Sequence, residues 1–264
     1  MSSAQPDLSI VIPAYNEAVT LPGNLAEVFA FLRKQAIRAE VIVVDDGSQD
    51  GTAGIVESLQ ERHPRLRLIR NPHCGKAFAV RTGIEAARGE YIFQCDADLS
   101  MPISELPKLL EPLQAGQCDI AIGSRVRRYR FPWYRHIMSV VFHWIVAALA
   151  VKGVNDTQCG FKCYRGAAAH DLFRRALLYR TPDPVRGSAV TGFDVEILFL
   201  AQKIGYRIKE VPVEWYFAET SSVDPIKDSL RNLRDVISIR LNDAHGRYRY
   251  SSAAKGEMRG PAPE

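Results

Sequence analysis

The sequence predicts an α/β fold, a mostly parallel sheet flanked by helices on both faces, followed by a helix-rich second part. Two observations carry this. Short apolar runs alternate with amphipathic segments, strand then helix, from Leu8 to Ser124. The apolar runs end in polar residues, which places these at the carboxyl ends of the strands, where such sheets bind ligands.

Each element can be justified in turn. "LSIVIPAYNE" opens with a β-branched run that reads as a strand stopping at Pro13, then a loop carrying Tyr15, Asn16 and Glu17. In "LPGNLAEVFAFLRKQ", Leu21, Leu25, Val28, Phe29 and Leu32 recur at helical spacing. "AEVIVVDDGSQDGT" is a second buried strand, Val41 to Val44, running into Asp45 and Asp46. Gly47, Ser48 and Asp50 form the turn, and Thr52 begins a helix that ends near Glu61. "LRLIRNP" is a third strand, and "GKAFAVRTGIEAARG" a third helix closed by Gly89. "YIFQCDAD" reads as a fourth strand, "ISELPKLLEPLQ" as a helix and "DIAIGSR" as a fifth strand. Beyond it come an apolar helix (136–151), the loop "VNDTQCGFK", the helix "AAAHDLFRRALLY" and the loop "RTPDPVRGS". The helix "GFDVEILFLAQKIG" and the strand "RIKEVPVEW" follow. A final helix has Ile226, Leu230, Leu233, Val236 and Ile237 on one expected apolar stripe. Residues 243–264 turn polar and rich in Gly and Pro, and a mobile tail is expected there.

Composition narrows the function. In 264 residues, 47% hydrophobic and 24% charged, a packed core is expected and wholesale disorder is not. The net charge of +4 is too small to argue for nucleic acid. Its distribution is more telling: "RVRRYRFPWYR" (125–135) holds five arginines and no acid, a pattern suited to a phosphate-rich partner or an anionic membrane surface. The five cysteines are scattered and no signal-peptide pattern opens the chain, so free thiols in a reducing compartment are expected. The uncharged run 136–151 is shorter than the roughly 20 residues that span a bilayer. It reads as a buried helix or one lying at a membrane interface.

Asp96 and Asp98, one residue apart at the end of the fourth strand, carry the chemistry. On an extended chain they project to one side, and two unit charges ~5 Å apart repel by roughly 3 kcal/mol at an effective dielectric near 20. A divalent cation offsets that, and Mg²⁺ or Mn²⁺ favours a few carboxylates plus phosphate oxygens. The alternative is an aspartate that only caps the next helix. No GxGxxG follows the first strand and no GxxxxGK[ST] occurs. Glu17, Asp45 and Asp46 are candidate acceptors for base and ribose donors, although Asp45-Asp46-Gly47 is also good turn chemistry. Tyr15 suits packing on a base, and Lys76, beside Gly75 at a helix N-terminus, suits a phosphate.

"SIVIPAYNE", "VIVVDDGSQDGT", "GKAFAVRTGIEAARGEYIFQCDADLSMP" and "GSR" together resemble the family 2 inverting glycosyltransferases, which have the GT-A (Rossmann-like) fold. "DTQCGFKCY" and "GFDVEILFLAQKIGYRIKEVPVEW" are similar to the polyprenyl-phosphate branch, most of all to the dolichyl-phosphate β-glucosyltransferases. The resemblance runs from about Leu8 to about Asp243. It implies a single GT-A domain over 1–242, with a nucleotide-sugar-binding half (1–124) and an acceptor-binding half (125–242). It places Pro13, Tyr15, Glu17, Asp45 and Asp46 at base and ribose with Lys76 near them. The Asp96-Ala97-Asp98 segment would lie at the sugar diphosphate, with the metal on Asp96 and Asp98. Arg125 would lie near the donor and acceptor phosphates, Asp156 near the acceptor as base or orienter, and Lys162 at the lipid phosphate. The implied reaction moves a hexose, glucose from UDP-glucose first, to a polyprenyl phosphate at the cytoplasmic membrane face. The alternatives are a GDP-mannose-dependent polyprenol-phosphate mannosyltransferase, a family 2 transferase with a soluble acceptor, and a nucleotide-sugar-binding protein without turnover. Peripheral membrane contact would rest on the basic-aromatic segment with Trp133, Tyr134 and Trp144, whose other reading is a core helix or a homodimer contact.

Overall fold

The computed structural model describes residues 5–125, 146, 149–185, 192–216 and 225–248. The basic-aromatic segment with most of the apolar run behind it, residues 186–191 and 217–224, and the expected tail from 249 lie outside the described residues.

Seven strands form one sheet in the order β3-β2-β1-β4-β6-β5-β7. The first half supplies β1 (Leu8–Ala14), β2 (Ala39–Asp45), β3 (Leu66–Arg70), β4 (Tyr91–Gln94) and β5 (Ile120–Arg125). The second half adds β6 (Lys162–Arg165) and β7 (Ile208–Val213), so one sheet runs through both halves of the chain. β1 and β2 are buried at every position, as near-continuous apolar strands covered on both faces should be. β1 runs on through Pro13 to Ala14 instead of stopping at the proline.

Helices α1 (Leu21–Lys34), α2 (Thr52–Gln60), α3 (Lys76–Ala86) and α4 (Leu106–Gln114) connect the parallel strands. α1 buries Leu21, Leu25, Val28, Phe29 and Leu32, the stripe expected from spacing, and places Arg33 and Lys34 in its last turn, where they oppose the helix dipole. α3 lies so close to the sheet that a Cβ on Gly83 would stand 2.3 Å from Val11 Cγ1. α5 (Gly166–Arg175), α6 (Phe193–Ile204) and α7 (Pro225–Ala244) belong to the second half.

β6 is the element the hydrophobic pattern does not announce. It is four residues long and antiparallel to both neighbours, β4 and β5. Its reversed direction brings its first residue to the carboxyl ends of those strands: Lys162 pairs in register with Gln94 on one side and Ile122 on the other. The loop before β6 is thereby delivered to the edge where Asp96 and Arg125 emerge.

The stripe expected on α7 is only partly the one that is buried. Leu230 and Ile237 are 63% and 46% exposed, whereas Asn232, Asp235, Val236 and Ile239 face inward. Ile226 lies outside the described side chains. Two of the inward residues are polar, and Asp235 accepts hydrogen bonds from Tyr179 Oη (2.7 Å) and the Gly192 amide (2.8 Å). A buried face that satisfies polar groups carries little of the hydrophobic period.

Candidate active site

The tips of β1 and β2 are laced together. Asn16, held in the left-handed region (φ 56°), donates its amide to Ser48 Oγ (2.9 Å) and accepts from the Gln49 amide (2.9 Å). The Glu17 amide donates to Thr52 Oγ1 and the Ala18 amide to Asp50 Oδ2, each at 2.9 Å. Pro13 is buried in β1 beside Val44.

The two adjacent aspartates have different environments. Asp45 is buried, and its Oδ1 has no hydrogen-bond partner among the described residues. A buried unpaired acceptor is costly and marks a place for a ligand N–H. Asp46 is saturated: it accepts from the amides of Cys74 (3.0 Å) and Gly75 (2.8 Å) and pairs with His73 Nδ1 at 2.8 Å. The His73 ring in turn stacks on Tyr15, 3.9 Å between centroids and 6° from parallel. Asp46 therefore acts on Tyr15 through His73. His73 was not singled out in the sequence, although it stands three residues before Lys76.

At β4 the chain does not stay extended. The strand ends at Gln94, and the Leu99 amide bonds back to the Asp96 carbonyl (3.2 Å), with Leu99 at φ 45°. Strand alternation therefore does not set the relation of Asp96 to Asp98; a turn does. Asp96 is half-buried, and Asp98 is exposed and accepts from the Ser100 amide (3.0 Å). Ala97 is buried, and its carbonyl accepts from Asn24 Nδ2 (2.7 Å), which pins the turn to α1.

Lys76 Nζ forms an ion pair with Asp96 Oδ1 at 2.5 Å. Burial alone would raise the Asp96 pKa, but Lys76 beside it, with Lys162 and Arg125 farther off, holds it below the usual carboxylate range. Glu17 shifts the other way: burial first, then the charges of Asp98, Asp50 and Asp96, push it up, while the Thr20 hydroxyl acts against them. Four carboxylates from three strand tips thus share one electrostatic neighbourhood. Among the described residues no group of three or more His, Cys, Asp or Glu side chains forms a ready metal-ligand set. The oxygen donors of Asp96 and Asp98 suit a hard cation that takes its remaining ligands from phosphate and water. The donor chemistry therefore fits Mg²⁺ or Mn²⁺ on those two residues.

Gly160, in the loop before β6, packs directly on the Asp96 carboxylate. A Cβ there would lie 2.5 Å from Oδ2 and 2.7 Å from Oδ1. Gly160→Ala is expected to push the carboxylate aside, with a loss of about 10²-fold in kcat for a displacement near 1 Å. Gly160 is not in the left-handed region, so alanine adds no backbone strain there and the clash falls on the carboxylate. Unchanged turnover in a folded variant would contradict this contact.

Arg125, at the end of β5, is clamped by Asp156 through Nε–Oδ2 (2.6 Å) and Nη2–Oδ1 (2.7 Å). Its guanidinium also lies 5.7 Å from the centre of the Trp215 ring. Burial would lower its pKa, but the bidentate aspartate reverses this and raises it. Glu210 of β7 fixes the Asp156 amide (2.8 Å).

Lys162, expected at the lipid phosphate, lies fully buried. Its ammonium donates to Asp194 Oδ1 (2.6 Å) and to the Cys159 carbonyl. It sits beneath the site as a counter-charge. Burial pushes the Asp194 carboxyl up, despite the opposing pull of Lys162 and then Lys76. Asp194 lies in the first turn of α6, and the helical pattern of that segment gives no sign of a buried charged partner. The structure thus gathers Glu17, Lys76, Asp96 and Asp98 at one edge, and joins Arg125 to Asp156.

Known proteins agree with this architecture. Residues 9–173 match the model for glycosyl transferase family 2. The chain is 33% identical to a dolichyl-phosphate β-glucosyltransferase of Dictyostelium discoideum, covering 93% of this chain and 77% of the relative. It is 34% identical to the human protein of that name, over 94% and 79%. Among solved structures, mannosyl-3-phosphoglycerate synthase from Rubrobacter xylanophilus superposes with a TM-score of 0.64 at 18% identity, over 98% of this chain and 79% of that one. Glucosyl-3-phosphoglycerate synthase from Mycobacterium tuberculosis, solved with Mn²⁺, UDP-glucose and phosphoglyceric acid, gives 0.61 at 18%, over 91% and 80%. With a matching family model, relatives above 30% identity and this sheet, the chain belongs to glycosyl transferase family 2 and is a glycosyltransferase of GT-A fold.

Proposed function

We propose that this enzyme transfers glucose from UDP-glucose to a polyprenyl phosphate of the dolichyl type, with inversion at the anomeric carbon and a requirement for Mg²⁺ or Mn²⁺. The observation that carries the reading is the β4 tip: a half-buried Asp96 and an exposed Asp98 at the carboxyl edge of the sheet, beside Glu17 and Lys76. Its acceptor assignment draws on the curated relatives, which are dolichyl-phosphate β-glucosyltransferases.

In this reading Asp45 accepts a hydrogen bond from the base, Tyr15 offers a ring stiffened by His73, and Pro13 and Glu17 border the nucleoside. Asp96 and Asp98 hold the cation, which when bound neutralises charge on the diphosphate leaving group. Arg125 faces the phosphates. Both oxygens of Asp156 accept from Arg125, so in this reading Asp156 serves as the orienter of that guanidinium. The acceptor phosphate needs no strong base, because it is already largely anionic at neutral pH. One of its oxygens bonds to the anomeric carbon as the bond to UDP breaks, and UDP departs with the electron pair. Positioning and charge stabilisation then supply the rate. No helix among the described residues is long and apolar enough to cross a membrane, and we assign the enzyme a peripheral position at the cytoplasmic membrane face.

The test is UDP release with UDP-glucose, Mn²⁺ and vesicles containing polyprenyl phosphate. Release should depend on the lipid phosphate and the cation, and should be at least about tenfold slower with GDP-mannose, a discrimination of ~1.4 kcal/mol. Equal turnover without lipid phosphate, or preference for GDP-mannose, would overturn the acceptor or the donor respectively.

A further inference from the structure

We infer that Lys76 competes with the divalent cation for Asp96, and that a nucleotide diphosphate settles the competition by drawing the ammonium away. Lys76 thereby makes tight cation binding conditional on the nucleotide. This rests on the function proposed above and adds an order of events to it.

The geometry restricts access to Asp96 from both sides. Oδ1 is held by the Lys76 ammonium at 2.5 Å. Gly160 backs the whole carboxylate, where a Cβ would lie 2.5 Å from Oδ2 and 2.7 Å from Oδ1. A cation approaching Asp96 therefore meets a carboxylate backed by Gly160 on one side and already in contact with a unit positive charge at Oδ1. Like charges at contact distance repel strongly even at an effective dielectric near 20. The ammonium therefore opposes a cation on Asp96 for as long as it stays paired with Oδ1.

Lys76 is built for that move. It is the first residue of α3, and its side chain, 39% exposed, is a four-carbon stem with no second clamp on its ammonium among the described ion pairs. Lys162, by contrast, is fixed by Asp194 and the Cys159 carbonyl. A diphosphate at the carboxyl edge offers the ammonium new anionic oxygens near the α3 N-terminus, where phosphate is favoured. Moving there frees Oδ1 for the cation. By linkage, nucleotide and cation must then each tighten the other's binding by the same factor.

The experiment is a titration of the full chain with Mn²⁺, followed by electron paramagnetic resonance of the free ion, with and without UDP. Wild type should bind Mn²⁺ weakly alone and more tightly with UDP. Lys76→Met should bind Mn²⁺ alone at least about tenfold more tightly than wild type, from the loss of one nearby positive charge, and UDP should add little further tightening. Lys76→Gln should behave like Lys76→Met, and Lys76→Arg should keep the wild-type coupling. Melting curves confirm that each variant is folded. If neither neutral variant binds Mn²⁺ more tightly without UDP, while wild type still responds to UDP, the competition is overturned and the proposed function stands. If wild type binds no Mn²⁺ even with UDP, both readings fall.

Discussion

Asp96→Asn is expected to lower kcat/KM for UDP-glucose by at least about 10³-fold, the scale seen when a preorganised charge at a reacting phosphate is removed. Asn keeps the volume and one oxygen but removes the charge that pairs with Lys76 and, in the proposed mechanism, would hold the cation. Stability should hold. The Lys76–Asp96 pair is partly exposed, 39% and 28% by side chain, and pairs of that kind contribute about 0–1 kcal/mol. A large catalytic loss with a small shift in melting temperature is therefore the signature. The measurement is steady-state kinetics beside a denaturation curve, with Mn²⁺ saturating. A variant that retains turnover within tenfold would show that the β4 turn is not the cation site. A variant that melts far below wild type would show that Asp96 is structural.

That prediction leans on residues visible in the sequence, and the reason is physical. Strand tips in a parallel sheet are the one place where runs such as Val41–Val44 and Tyr91–Phe93 must stop, so the acids that follow them declare an edge. α1 was equally legible because its core side is purely apolar, and periodicity is a report of burial. The readings that failed are those where burial and apolarity part company. β6 is four residues with Lys162 at its start, and a fully buried lysine is invisible to any hydrophobic pattern. The inward face of α7 carries Asn232 and Asp235. The turn after β4 carries no glycine to signal it, since Leu99 itself takes the left-handed conformation (φ 45°). The pairings of Asp46 with His73 and of Lys162 with Asp194 span 27 and 32 residues. Such contacts are set by sheet order, which local sequence does not encode.

The larger effect on stability is expected at that hidden pair. Lys162→Met removes an ammonium from a position with no exposure and leaves Asp194 buried and uncompensated. Breaking a buried ion pair on one side costs about 3–5 kcal/mol, and in a chain of this size that lowers the melting temperature by about 10 °C. Asp194→Leu should cost a similar amount, because it strands the lysine. Replacing both, Lys162→Met with Asp194→Leu, should recover most of the loss, since two desolvated charges are exchanged for packed apolar groups of similar volume. The double-mutant cycle in urea isolates the coupling. Turnover should not recover with stability. Lys162 also holds the Cys159 carbonyl, one residue before the Gly160 that packs on Asp96, and methionine cannot make that bond. A stable but slow double variant would separate the two duties of Lys162. A single variant within 1 kcal/mol of wild type would mean that its ammonium is not confined to the core, and that the charge beneath Asp96 is free to meet a phosphate after all.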